Sequence, residues 1–342
     1  MTAPPRHGGE LRLGTRGSQL ALWQARAVAA RIAETGGPPC RIVVIRTSGD
    51  RLQDAPLSDV GGKRLFVKEI EEALLRDEVD LAVHSSKDMP ALLPDGLAIA
   101  GVLPREDPLD AVVLPERSVR FTADTTHDGG AIETVDGLLA VLGRSPSIGT
   151  GSVRRIAQLT RLCPGATFTP IRGNLDTRLR KLDAGEYDAL VLAAAGLRRL
   201  GFASRISLTL PADACVPAPG QGIVAIEVRA GDEAVERAVV RITEAAASTA
   251  LAAERAVVTT LGGGCQTPIG ALATPVEGDA LELVAAVVAL DGSRAVRAHA
   301  RGGQREAEAL GNRVGRQLLA DGAGEILAEA QHAQGAVEGI QP

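Results

Sequence analysis

Aromatic residues are scarce in this sequence: tryptophan, tyrosine and phenylalanine together make up 2% of its 342 residues. Proteins that hold single-stranded nucleic acid stack the bases on aromatic side chains, so the scarcity argues against that function. The net charge of −5 gives no general attraction to nucleic acid or to an anionic membrane either. Affinity for an anion must therefore come from local groups of basic residues.

Cysteine and histidine are also few. The four cysteines form no CxxC pair, and none of the five histidines has a second one four residues away. This pattern fits neither a disulfide framework nor a zinc site, so we expect no metal. No stretch approaches eighteen uncharged apolar residues, and Met1 to Glu10 contains no apolar signal-peptide core. We therefore expect a cytoplasmic protein with no membrane partner.

The chain is too long for one ordinary core, and its apolar runs alternate with amphipathic helical segments. Repeated β-loop-α units predict α/β lobes with mainly parallel sheets, in which ligands bind at the carboxyl ends of the strands. We predict domain 1 at 10–105 and 222–242, and domain 2 at 106–216, joined by a proline-rich hinge. Residues 115–146 read as irregular, with a surface insertion near 115–132. A smaller α+β domain 3 is predicted at 245–330.

Basic residues follow several of the predicted strands. Arginine forks bind carboxylates in a bidentate manner, and helix N-termini such as the one after Ser152 favour anions. Taken singly, an arginine more often belongs to a solvated helix surface, but three separate clusters at one sheet edge favour a ligand with several carboxylates or phosphates. No GxxxxGK[ST] string supports a nucleotide. The arginines concerned are Arg12, Arg16, Arg105, Arg154, Arg155, Arg172 and Arg178.

Two further residues carry possible chemistry. Three glycines, 262–264, precede Cys265 and place a thiol on a sharply bent loop; a thiol forms a stable thioether with a carbon electrophile. The alternative is a small buried cysteine in a tight turn. Asp88 follows an apolar strand and stands among basic residues. It is either an ion-pair partner or a carboxylate that stabilises a cationic intermediate.

Several longer motifs resemble the porphobilinogen deaminase (hydroxymethylbilane synthase) family. They occur in the family's order from about residue 11 to residue 328. The motifs are Leu20–Ala25, Gly61–Lys63, Leu65–Glu69, Ala82–Ser85 with Lys87-Asp88, Arg105–Pro108, Arg172–Asn174, Ala195–Leu197 and Gly263–Gln266.

The resemblance implies three domains, the first two built like type II periplasmic binding proteins. It implies a monomeric transferase of tetrapyrrole biosynthesis, which condenses four porphobilinogen molecules head to tail with loss of ammonia. Hydrolysis then releases hydroxymethylbilane. One dipyrromethane cofactor, made from the substrate, is attached through a thioether to the cysteine that matches Cys265.

The resemblance also assigns roles to individual residues. Asp88 matches the catalytic carboxylate, which hydrogen-bonds the pyrrole N–H of the cationic intermediate. The matching cofactor-binding residues, besides Cys265, are Ser85, Lys87, Thr150, Ser152, Arg154, Arg155, Arg172 and Gly173. The matching substrate-binding residues are Arg12, Arg16, Ser18, Lys63, Phe66, Arg178 and Gln221.

One alternative shares the same fold and basic cleft: a non-catalytic, two-lobed binding protein for a small polyanion. Such a protein needs neither Cys265 on a glycine loop nor Asp88 among cations. The sequence therefore favours the enzyme.

Overall fold

A computed structural model describes residues 9–51, 66–116, 132–264 and 266–338. Most of the predicted surface insertion lies outside these ranges, as do Lys63 and Cys265. Within them the chain forms two five-stranded sheets and one three-stranded sheet. Among the described helices, none combines the length and the apolar character needed to cross a bilayer.

The first lobe begins with a strand and a long helix whose ends are set locally. The Ser18 hydroxyl accepts a hydrogen bond from the amide of Ala21 at 3.3 Å, and Gly36 beyond the last turn has a φ of 71°, as is usual at helix ends. The elements up to the hinge are β1 (Leu11–Thr15), α1 (Gln19–Glu34), β2 (Cys40–Val44), α2 (Ser48–Arg51), α3 (Lys68–Leu75), β3 (Leu81–Ser85) and β4 (Leu97–Val102).

The second lobe repeats this plan and contains one helix that the sequence did not reveal. We predicted irregular structure over 115–146, but α4 forms within it, because Thr134 caps its first turn at 3.1 Å from the amide of Gly137 and Leu138 is buried. The elements are β5 (Asp110–Val113), α4 (Val135–Leu142), β6 (Ser147–Gly149), α5 (Val153–Leu162), β7 (Thr167–Thr169), α6 (Leu175–Asp183), β8 (Ala189–Ala193), α7 (Ala194–Arg199) and β9 (Leu208–Leu210).

The chain then returns to the first lobe as β10 (Val224–Arg229) and α8 (Glu233–Val240). The strand order is β2-β1-β3-β10-β4 in the first lobe and β7-β6-β8-β5-β9 in the second, so the two lobes share one topology. β1 pairs in parallel with β2 and β3, as predicted. β10, however, runs antiparallel to β3 and β4. Its direction is reversed because the chain enters this sheet from the hinge, which lies at the carboxyl ends of the parallel strands.

The third unit is a layer of helices on an antiparallel sheet. Gly311 lets α10 approach α9 closely, since a Cβ added there would lie 2.2 Å from the carbonyl oxygen of Ala253. Val257, Leu283 and Leu310 are buried between the layers. The elements are α9 (Ala245–Thr260), β11 (Ile269–Val276), β12 (Ala280–Val288), β13 (Ala295–Gly303), α10 (Ala307–Ala320) and α11 (Ala323–Glu338). The predicted fold class, two α/β lobes and a smaller α+β unit, is confirmed.

A buried carboxylate ties this third unit to the hinge. Glu254 on α9 is fully buried and accepts hydrogen bonds from Arg105 at 2.6 Å and from the amide of Gly220 at 2.6 Å. It also accepts one from the amide of Ala273 at 2.8 Å. Arg105 is therefore part of the join between units and is not a free anion ligand.

Candidate active site

Lys87 and Asp88 lie at the carboxyl end of β3, in the single 3-10 turn formed by Ser86–Asp88. Burial lowers the pKa of Lys87 to about 8, and the positive charge of Arg155 acts in the same direction, whereas the charge of Asp88 opposes it. These effects require the three side chains to be close together. The cleft between the lobes thus brings a lysine and an aspartate of the first lobe to an arginine of the second.

Arg178, on α6, extends this group. Burial, together with the charges of Arg155 and Arg172, lowers its pKa to about 10, and the charge of Asp88 opposes this shift. Its Nε donates a 2.9 Å hydrogen bond to the carbonyl of Gly173. Gly173 has a φ of 102°, a conformation that glycine adopts without strain. The result is a dense group of cations around Asp88.

Asp110 is a functional residue that the sequence reading missed. It begins β5, is fully buried and accepts hydrogen bonds from Arg154 Nη1 at 2.7 Å and from Arg155 Nε at 2.8 Å. Burial alone would raise its pKa, but the charges of the two arginines outweigh that effect and lower it. Asp110 therefore sets the orientation of both guanidinium groups.

Gln221 joins the same network. Its side-chain amide donates to the carbonyl of Pro108 at 2.7 Å and to Asp110 at 3.0 Å. Its oxygen accepts from Arg155 at 3.4 Å, and the residue is fully buried. Gln221 was predicted to contact substrate; in the structure its side-chain hydrogen bonds join the two hinge segments.

A pocket at the junction of the three units contains predicted cofactor ligands. Lys87, Ser152, Arg154, Arg255 and Gly264 are among its lining residues. Gly264 immediately precedes Cys265, so the pocket adjoins the predicted point of attachment. Although the other nitrogens of the Arg154 guanidinium are bonded, its Nε is buried without a hydrogen-bond partner among the described residues. A group with carboxylate side chains fits this set of donors.

Ser152 lines the second-lobe wall of this pocket, and Thr150 supports it by a hydrogen bond. The Ser152 hydroxyl caps α5 by accepting from the amide of Arg155 at 3.4 Å. The amide of Ser152 in turn donates to the buried Thr150 hydroxyl at 3.4 Å. The caps fix the start of α5, and with it the position of the two arginines in its first turn.

Arg16 and Phe66 face each other at the carboxyl end of β1. The Arg16 guanidinium lies over the Phe66 ring, 4.3 Å from its centroid, and donates to Asp50 at 2.5 Å. Ser18 caps α1 beside them. On the same edge, the Ser85 hydroxyl accepts a 2.8 Å hydrogen bond from Gln24. The structure therefore places Arg16, Ser18, Phe66 and Ser85 on the cleft side of the first lobe.

Arg12, which was predicted to bind substrate, lies away from these cleft residues. Arg12 lies near the amino end of β1 and donates to Asp80 at 2.8 Å and to Asp77 at 3.1 Å. Asp80 comes immediately before β3. This ion-pair group therefore lies where the parallel strands begin, at the end of the sheet away from the cleft. Its role is to stabilise the lobe.

Arg199 is a second residue that the sequence reading missed. It ends α7 and donates to the carbonyl of Gly222 in the hinge at 2.7 Å, and burial lowers its pKa. Its neighbour Arg198 is exposed and pairs with Asp107, as expected of a surface arginine. Arg198 and Arg199 are adjacent residues of the same type, and only the face of α7 on which each lies decides its different contacts.

Comparison with known proteins agrees with this geometry. The family model for the porphobilinogen deaminase dipyrromethane cofactor binding domain matches residues 11–237. The model for the C-terminal domain of porphobilinogen deaminase matches residues 248–320. The chain belongs to the porphobilinogen deaminase family. Members of this family are transferases of tetrapyrrole biosynthesis that carry a dipyrromethane cofactor, so the predicted family, activity class and cofactor are confirmed.

Individual relatives cover almost the whole chain. The porphobilinogen deaminase of Geotalea uraniireducens is 44% identical over 320 residues, which are 93% of this chain and 94% of the relative. That of Moorella thermoacetica is 44% identical over 96% of this chain and 99% of its own length. Among solved structures, the VFT2 domain of BvgS from Bordetella pertussis aligns with a TM-score of 0.38 at 16% identity, over 69% of this chain and 87% of the domain.

Proposed function

We propose that this chain joins four porphobilinogen molecules head to tail, with release of one ammonia per unit, and then releases hydroxymethylbilane by hydrolysis. The observation that carries this proposal is the position of Asp88, which lies in the cleft within electrostatic range of Lys87 and Arg178. A negative charge surrounded by cations suits a substrate that is itself a carboxylate and becomes locally cationic as it reacts.

The cations hold the substrate. Each porphobilinogen ring carries an acetate and a propionate, so a chain of several rings is a polyanion. Guanidinium groups remain charged and bind carboxylates with two parallel hydrogen bonds, and the low exposure of Arg178 strengthens each such interaction. The proposed ligands for these carboxylates are Arg16, Ser18, Lys63, Lys87, Arg155, Arg172 and Arg178, with Phe66 beside the first of them.

Asp88 is the proposed catalytic residue. When the C–N bond of the aminomethyl group breaks, ammonia leaves and the remaining carbon becomes an electrophile whose positive charge spreads onto the pyrrole nitrogen. A carboxylate that accepts a hydrogen bond from that N–H stabilises the charge. The α-carbon of the terminal ring then attacks, a C–C bond forms, and the α-proton is lost to restore the aromatic ring.

We propose that the dipyrromethane cofactor is attached to Cys265 through a thioether. When bound, it supplies the nucleophilic α-carbon at which the chain starts. Ser85, Lys87, Thr150, Ser152, Arg154, Arg155, Arg172 and Gly173 are the proposed residues around it. The buried Nε of Arg154 and the pocket next to Gly264 support this assignment.

Other features follow from the same proposal. We expect the enzyme to work as a monomer in the cytoplasm and to need no metal ion, because the chemistry uses only charge and hydrogen bonding. We also propose the domain boundaries at 10–105 with 222–242, at 106–216 and at 245–330.

The decisive experiment measures the intact mass of the purified protein and maps peptides around Cys265, followed by an assay of bilane formation from porphobilinogen. We expect an excess mass of two condensed pyrrole units on that peptide, and its loss together with activity in Cys265→Ala. A protein that binds porphobilinogen but carries no added mass and makes no bilane would be the non-catalytic polyanion-binding protein instead.

A further inference from the structure

A second pocket lies outside the site described above, between α1 of the first lobe and the α6–α7 region of the second. We call it the α1–α7 pocket; its lining includes Leu22, Trp23, Arg26, Asp176 and Phe202. Its volume is about 500 Å³, within the usual range for small-ligand sites.

Two of the chain's six aromatic residues meet in this pocket. Trp23 is the only tryptophan of the chain, and 38% of it is exposed. If the role of Trp23 were to fill the hydrophobic core, its side chain would be buried. Trp23 and the half-buried Phe202 instead offer flat apolar surfaces at a solvent-accessible position, where a planar ring can stack.

The charges around the pocket favour an anion. Arg26 is exposed and makes no ion pair with any residue in the described part of the chain. The Arg199 guanidinium lies 5.4 Å from the centroid of the Trp23 ring. The carboxylate at the rim, Asp176, is paired with Arg180 at 3.3 Å. A ligand with a flat ring and carboxylate groups matches this arrangement.

Several residues of the pocket are close in sequence to cleft residues. Gln19, which also lines it, follows the cleft residue Ser18, and Asp176 lies two residues before Arg178. Arg199 contacts both the Trp23 ring and the hinge carbonyl of Gly222. A molecule in the α1–α7 pocket would therefore lie near the residues that border the cleft.

We propose that the α1–α7 pocket is an accessory binding site for a pyrrole carboxylate, stacked on Trp23 and paired with Arg26. This inference rests on the proposed function, because it takes its ligand class from the reaction in the cleft. The ring comes from one of two sources: a free porphobilinogen molecule that waits to enter, or the outermost ring of the growing chain.

The test uses the fluorescence of Trp23, which reports on the pocket because no other tryptophan is present. The holoenzyme is mixed rapidly with porphobilinogen, and tryptophan emission and bilane formation are followed in the same samples. The variant is Arg26→Glu. The matched control is Arg31→Glu, which lies on the same helix, is exposed and changes the net charge by the same amount.

We expect saturable quenching in the wild-type protein, an apparent affinity about two- to five-fold weaker in Arg26→Glu, and no change in Arg31→Glu. Quenching that disappears when free porphobilinogen is removed identifies the waiting substrate as the ligand, and quenching that persists identifies a ring of the chain. Equal quenching in wild type and Arg26→Glu would place its origin in the main cleft and overturn the inference. Absence of bilane from the wild type would instead overturn the proposed function.

Discussion

Arg12 and Arg16 are only four residues apart but lie at opposite ends of strand β1. Arg12 is held at the amino end of β1 by Asp80, and Arg16 lies just beyond the carboxyl end, over the ring of Phe66. One guanidinium therefore stabilises the fold, and the other faces the cleft.

This separation predicts opposite phenotypes for two matched substitutions. Arg12→Gln should lower the free energy of unfolding by about 1–3 kcal/mol, because it removes the nearer charged donor from the buried Asp80 and leaves it only the more distant Arg229, at 3.5 Å, and should leave KM unchanged. Arg16→Gln should raise KM for porphobilinogen about ten-fold with a smaller effect on stability. Urea unfolding and steady-state kinetics on both variants give the comparison. A raised KM in Arg12→Gln would contradict the assignment.

Asp88→Asn should keep the fold but lower kcat by about two orders of magnitude or more, because the neutral amide no longer stabilises the positive charge on the pyrrole nitrogen. Asp95→Asn is the control, since Asp95 is exposed in the segment that follows and the charge change is the same. Cofactor content, measured by intact mass, separates lost turnover from lost loading. Near-normal kcat in Asp88→Asn would remove this residue from the mechanism.

Lys87 should make substrate capture sensitive to alkaline pH. Its pKa of about 8 means that the positive charge is present below pH 8 and is lost as the pH rises through that value. kcat/KM, which reports the free enzyme, should therefore fall above about pH 8. In Lys87→Arg the fall should move to higher pH, because a guanidinium remains charged. An identical alkaline limb in both proteins would assign the titration to another group.

Asp110→Asn should be strongly destabilising. It leaves Arg154 and Arg155 buried with no carboxylate between them, and removal of one partner of a buried ion pair costs about 3–5 kcal/mol. Glu233→Gln is the control, because its ion pair with Arg237 is exposed and should contribute at most about 1 kcal/mol. The shift of the urea midpoint measures both. Similar shifts in the two variants would show that the Asp110 network is not the support described above.

Sequence patterns predicted those features whose causes are local. Helix α5 begins after Ser152, as expected, because the Ser152 hydroxyl accepts a hydrogen bond from an amide three residues ahead. Ser18 and Asn174 cap α1 and α6 in the same way. The prediction that basic residues near strand ends bind a polyanion is part of the proposed function.

Other features depend on residues far apart in the chain. Nothing in the sequence around Asp110 indicates that Arg154, 44 residues later, donates to it. The position of Arg12 depends on a similar long-range contact. A basic residue in a five-residue strand can lie near either end of it, and the partner of Arg12, Asp80, is 68 residues away.

The position of β10 has a consequence for how the molecule is made. This strand lies between β3 and β4, yet it is synthesised after the whole of the second lobe. As the chain leaves the ribosome, the second lobe has all its strands once Leu210 has emerged, whereas the first lobe lacks an inner strand until Arg229 has emerged. Until then, β3 and β4 lack the strand that lies between them, and their unpaired backbone groups are open to chaperones and to wrong pairing. The second lobe, although it follows in the chain, is already able to fold.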